Sequence, residues 1–128
     1  MLRVKTLCLL ILIITFQVYG QFNIEWEKTW NSQYNNWDRA THINIDLEGN
    51  IIVAGWSYKD DYNSSGDIAV VKYSPDGNEL WNKRYDIGGY DEVIGLHFDN
   101  DNNIIIGAIG ADSSIYNPSF MIIKYDTQ

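Results

Sequence analysis

Beyond residue 40 the chain alternates between two hydrophobic patterns. In Thr41–Asp46, Thr41, Ile43 and Ile45 interleave with His42, Asn44 and Asp46, which predicts a half-buried β-strand. Ile51–Gly55 and Ile68–Val71 are continuous apolar runs, as expected of strands covered on both faces. Strict alternation returns in Glu79–Tyr85. Turn chemistry separates these stretches. Asp46-Leu47-Glu48-Gly49-Asn50 places a glycine where a positive φ is expected, and Ser74-Pro75-Asp76-Gly77-Asn78 has a proline suited to the second position of a turn. No segment holds a helical period, so the pattern predicts an all-β chain.

The same pattern recurs. Asp38 falls on Asp91, Ile43 on Leu96, Ile45 on Phe98, Asp46 on Asp99, Asn50 on Asn103 and Val53 on Ile106. After a one-residue deletion, Ile68-Ala-Val-Val-Lys-Tyr73 falls on Phe120-Met-Ile-Ile-Lys-Tyr125. Four short antiparallel strands per repeat of roughly 50 residues describe a β-propeller blade. A β-solenoid is the competing architecture, but its repeats are shorter and its strands parallel. Ile24-Glu-Trp-Glu-Lys-Thr-Trp30 resembles Glu79–Tyr85 and is expected to be a fourth strand standing ahead of the first full unit. The expected organisation is a signal peptide over 1–20 and a partial propeller over 21–128. Within the latter come a strand at 22–30, a blade at 38–86 and an incomplete blade at 91–126. That inventory makes two antiparallel four-stranded blade-like sheets of an incomplete propeller. Two blades cannot close a ring, so either the chain is a piece of a longer propeller or copies associate through their open blade faces.

These positions resemble the bacterial β-propeller repeat called the SBBP repeat. The pattern reads here as Asp38, Ile43, Ile45, Asp46, Gly49-Asn50, Gly55, Asp67, Lys72-Tyr73, Gly77, Trp81, Gly88-Gly89 and Asp91. The resemblance implies a propeller in an exported or cell-surface protein and implies no particular chemistry. The second copy departs from it, with Asn102 for Gly49, Ala108 for Gly55 and Ser119 for Asp67. Asp76–Trp81 also resembles the tryptophan-docking motif of quinone-dependent propeller dehydrogenases, in which the tryptophan packs between blades.

The N-terminal region changes the picture of location. Arg3 and Lys5 precede an apolar run from Leu7 to Phe16, and small Gly20 follows a polar break at Gln17. This is the make-up of a secretory signal, with cleavage expected after Gly20. The run is about half the roughly 20 residues needed to span a bilayer. Cys8, the only cysteine, lies within it, so the processed chain is expected to carry neither a disulfide nor a cysteine-held metal. The formal charge of −8 argues against nucleic acid and anionic lipid, both of which need basic patches.

Candidate chemistry is sparse. Asp99, Asp101 and Asn103 set oxygens at alternate positions as calcium loops do, yet they align with the plain turn Asp46–Asn50. His42 and His97 do not align with each other, and neither has a second histidine at ligand spacing. Ser64-Ser65 and Ser113-Ser114 lack a nucleophile-elbow pattern, Asp60-Asp61 is a possible acid–base pair, and Asn63-Ser64-Ser65 matches a glycosylation acceptor. Trp37, Tyr58, Tyr62 and Tyr116 are candidates to stack on sugar rings, whereas Trp26, Trp30 and Trp81 read as packing residues. The expectation is a secreted or cell-surface module with a structural or binding role. Its partner would be protein or carbohydrate, with no cofactor, no metal, no catalytic residue and no membrane contact after cleavage. The alternative is a piece of an extracellular propeller hydrolase, lyase or quinone-dependent dehydrogenase.

Overall fold

The structure, a computed structural model, describes residues 22–59, 66–86, 88–111 and 118–126. The expected signal over 1–20, with Cys8, lies outside them. Seven strands follow in order: β1 (Asp38–Ile45), β2 (Ile51–Ser57), β3 (Asp67–Tyr73), β4 (Glu79–Tyr85), β5 (Asp91–Phe98), β6 (Ile104–Ala111) and β7 (Pro118–Tyr125). They form a four-stranded sheet β1-β2-β3-β4 and a three-stranded sheet β5-β6-β7. Every pairing is antiparallel between consecutive strands, which is incompatible with a parallel solenoid. No helix occurs among the described residues.

Three hairpins share one turn design. In each, the first residue's amide donates to the fifth's carbonyl, the fourth's amide donates to the first's carbonyl, and the fourth takes a positive φ: Gly49 at 81°, Gly77 at 77° and Asn102 at 65°. Glycine meets this at no steric cost, and asparagine is among the side chains that tolerate it best. The first repeat adds a bulge between Ala40 and His42, and the second matches it between Val93 and Gly95. β5 lies across β1, β2 and β3.

Register assigns the faces. Ile52, Ala54, Ile68 and Val70 point from the first sheet toward the second, where they meet Val93, Leu96, Ile104, Ile106 and Ala108. Met121, Ile123, Tyr125, Phe98 and Trp81 close the margins of this core. Each fully buried aliphatic side chain contributes about 1.5–3 kcal/mol, so the contact between sheets is the main source of stability.

Two expectations need correction. Residues 22–30 form no strand. A strand needs a neighbour to take its backbone groups, and this segment instead runs over the first sheet, where Trp26 Nε1 donates to Pro75 O at 2.9 Å. The alternation in β1 also buries less than it suggests: Ile43 and Ile45 face away from the second sheet and are exposed. The central strands differ from one another as well. All of β3 is buried, with residues 26–30 over one face and the second sheet over the other, whereas β6 buries mainly one face.

Candidate functional site

The two ends of the sheets carry different chemistry. At the end holding the β1–β2 and β5–β6 turns, the repeat builds one cluster twice. Asp46 accepts from the amides of Glu48 and Asn50 at 3.0 and 2.8 Å, from Asn50 Nδ2 at 2.9 Å, and pairs with Lys72 Nζ at 2.8 Å. Asp99 does the same with the amides of Asp101 and Asn103, both at 2.9 Å, with Asn103 Nδ2, and with Lys124 Nζ at 2.5 Å. Burial raises the Asp46 pKa, but hydrogen bonds from Lys72 and Asn50 outweigh it and hold the carboxyl below its ordinary value. For Asp99 the Lys124 hydrogen bond, then that of Asn103, lowers it well below the usual carboxylate range, and the same contact raises Lys124.

Asp99–Asn103, whose oxygens alternate as in calcium loops, forms the Asx turn that its alignment with Asp46–Asn50 suggests. Asp99 presents both oxygens to protein donors, one of them an ammonium where a cation would sit. Asn102, standing where the first repeat has Gly49, adds a function the sequence did not flag. It is buried, accepts from Leu47 N at 3.1 Å and donates to Glu48 at 3.1 Å, so it ties the second sheet's turn to the first's.

The opposite end is a rim where residues 31–37, the C-terminal end of β2 and the connection from β4 to β5 converge. Arg84 is its centre. Its guanidinium donates to Asp67 at 2.5 Å, to Ser57 Oγ at 2.8 Å and to Ser57 O at 2.9 Å, and it lies 4.8 Å from the centre of the Tyr34 ring. Arginine suits this site because its planar fork can bond a carboxylate and stack on an aromatic ring together. Asp67, Asp86 and Asp91 bring one carboxylate oxygen each to within 4.8 Å of the others. Burial raises the Asp67 pKa, and Arg84 does not fully offset it.

Aromatic side chains surround this charged centre. Trp56 and Tyr58 meet edge to face at 5.1 Å, with Arg39 6.0 Å from the Trp56 ring. Tyr58 N donates to Trp37 O, and the Trp37 indole is largely exposed. Tyr34 and Tyr90 are partly exposed beside them; burial raises the Tyr90 pKa, followed by the charge of Glu92 and the neighbouring Tyr58. A cavity of about 240 Å³ opens beside Tyr34 and Arg84, bounded by Trp30, Ser32 and Asn82.

Of the residues singled out from sequence, Trp37 and Tyr58 come together at this rim. His42 lies on the side of β1 facing the second sheet, with Nδ1 2.9 Å from Thr41 Oγ1, and His97 lies on the far side of β5, so no histidine pair forms. Trp81 packs 5.8 Å from Tyr125, and Trp26 sits over Gly77, where an added Cβ would come within 2.8 Å of the indole. Asp60-Asp61, Tyr62, Asn63, Ser64-Ser65, Ser113-Ser114 and Tyr116 lie outside the described residues. Arg84 and Tyr34 were not legible beforehand. Arg84 occupies an ordinary polar position of an alternating strand, and Tyr34 a segment without period.

No family model and no curated protein matches the chain.

Proposed function

We propose that the chain is an exported β-propeller-repeat module of the SBBP kind, with a structural or binding role and no catalysis of its own, which engages protein or carbohydrate through its aromatic rim. One observation carries this reading. Charged groups that the two repeats share, Asp46 with Lys72 and Asp99 with Lys124, are held in ion pairs that fasten turns to strands. The rim is the end that the repeat duplicates only in part, since Asp91 has Asp38 as its counterpart but Asp67 has Ser119. There, exposed Trp37 and the tyrosines offer flat apolar faces beside hydrogen-bonding groups, the combination that binds sugar rings or a peptide surface.

Two experiments test it. Fractionating cells that express the full chain should recover it outside the cytoplasm with Gln21 as its first residue; a cytoplasmic chain that keeps Met1 would overturn the export reading. Screening the processed chain against glycans and cell-surface extracts should give binding that Trp37→Ala weakens by about tenfold, as expected when an aromatic anchor is truncated. Unchanged binding in that variant would move the site off the rim.

A further inference from the structure

Applying the repeat to the sheet faces reveals an unmet complementarity. The first sheet's face against the second is made by Ile52, Ala54, Ile68 and Val70, and their repeat counterparts are Ile105, Gly107, Phe120 and Ile122. Register puts the counterparts on the outer face of the second sheet. Ile68 and Val70 are 0% exposed, whereas Phe120 is 83% and Ile122 70% exposed. Ile94 and Ile109 extend the same patch. On the other side, Leu96 of β5 is 6% exposed in the core, and its counterpart Ile43 of β1 is 70% exposed on the outer face of the first sheet. The molecule thus has one buried sheet-to-sheet interface and repeats both halves. The first sheet's half is bare on the outer face of the second, and the second sheet's half lies on the outer face of the first, exposed at Ile43 and Ile45 and covered by residues 26–30 over Ala69, Val71 and Tyr73.

We propose that the chain associates head to tail with a second copy. β1 of one copy lies across the outer face of β5–β7 of the other, as β5 lies across β1–β3 within one copy. The inference rests on the repeat reading above and extends it to a partner. A second copy is the occupant because the matching surface is already present on this chain. The two halves also differ, so the contact is heterologous: the face around Phe120 meets the face around Ile43, not itself. Residues 26–30 already stand off the outer face of the first sheet, enclosing a cavity of about 310 Å³ lined by Val53, Ala69, Val71 and Tyr73. Trp26 sits at the β3–β4 turn of the first sheet, much as Trp81 sits at Tyr125 of the second. Seating a neighbour brings its residues 22–30 beside β7, as β4 lies beside β3. Burying these residues also covers the Asp99–Lys124 pair, as the Asp46–Lys72 pair is covered already.

The test uses the chain as its cells process it, with mass measured by light scattering from low to high micromolar concentration. Association to a multiple of the monomer mass is expected, either a ring or an open polymer. Ile43→Lys removes one half of the contact and Phe120→Lys with Ile122→Lys removes the other. Both sites are exposed, so each variant should keep its circular dichroism spectrum and melting temperature. Each variant alone should be monomeric, and mixing the two should give a one-to-one dimer that grows no further, because each supplies the half that the other lacks. A wild-type chain that stays monomeric throughout would overturn the proposal. So would self-association surviving in one variant alone, which marks a face meeting its own copy. Export and glycan binding by a monomer would leave the functional reading standing while this one fell.

Discussion

The Asp–Lys–Asn cluster occurs twice, with the same donors and closely similar distances, yet its two copies live in different surroundings. Asp46 and Lys72 lie beneath the second sheet, nearly out of solvent, while Asp99 and Lys124 are open to it. The aliphatic faces diverge in the same way, because Ile68 is sealed and Phe120 is bare. Local chemistry is thus set by the repeat unit, and energetic weight by what lies over it. An ion pair worth little at a surface becomes costly to break once its partner would be stranded in a dry interface.

The largest expected effect separates the equivalent aliphatic positions. Ile68→Ala should cost about 4 kcal/mol by opening a cavity in the core, while Phe120→Ala should leave the monomer within about 0.5 kcal/mol of wild type. Urea unfolding at low concentration measures both, and equal losses would break the contrast between the sheets. Next come the paired carboxylates. Asp46→Ala should cost about 3 kcal/mol by leaving Lys72 buried without its counter-ion, and Asp99→Ala should cost clearly less.

Acid titration sharpens the same comparison. The Asp46 carboxyl is held below its ordinary 3.8, so its contribution is complete above that value and is lost as pH falls through the folded-state pKa. Asp67 is raised, so protonation on acidification favours the folded state and opposes that loss. Stability measured between neutral pH and the acid range should therefore fall toward low pH. Asp46→Asn should flatten the fall and Asp67→Asn should steepen it. A smaller loss than at Ile68 or Asp46 is expected at Asn102→Gly. It keeps the positive φ but loses two hydrogen bonds to the first sheet's turn, for about 1–2 kcal/mol in urea melts.

Much of the fold is legible in the sequence because short-range rules govern it. Alternation, apolar runs and the repeat locate all seven strands, and Gly49 takes the positive φ expected of its turn. What is not legible depends on which surface meets which. The alternation of β1 looks like that of any half-buried strand, and nothing in Ile43 or Ile45 says which face is covered. Residues 22–30 carry a strand's pattern but have no backbone partner, so they lie over the sheet without joining it. At the rim, Trp37 and Tyr58 stood out by type. Arg84 did not, since its role arises when Asp67, Ser57 and Tyr34 converge from separate segments.

The central claim is that the second sheet's outer face and its β7 edge, which pairs with no strand among the described residues, are the counterparts of surfaces already covered in the first. Hydrogen exchange of β7 compared with β3 reads this most directly. With rising concentration, the β7 amides that point away from β6 should slow toward the rates of β3, and Phe120→Lys should abolish that slowing. Fast β7 exchange at every concentration, beside slow β3, would contradict it.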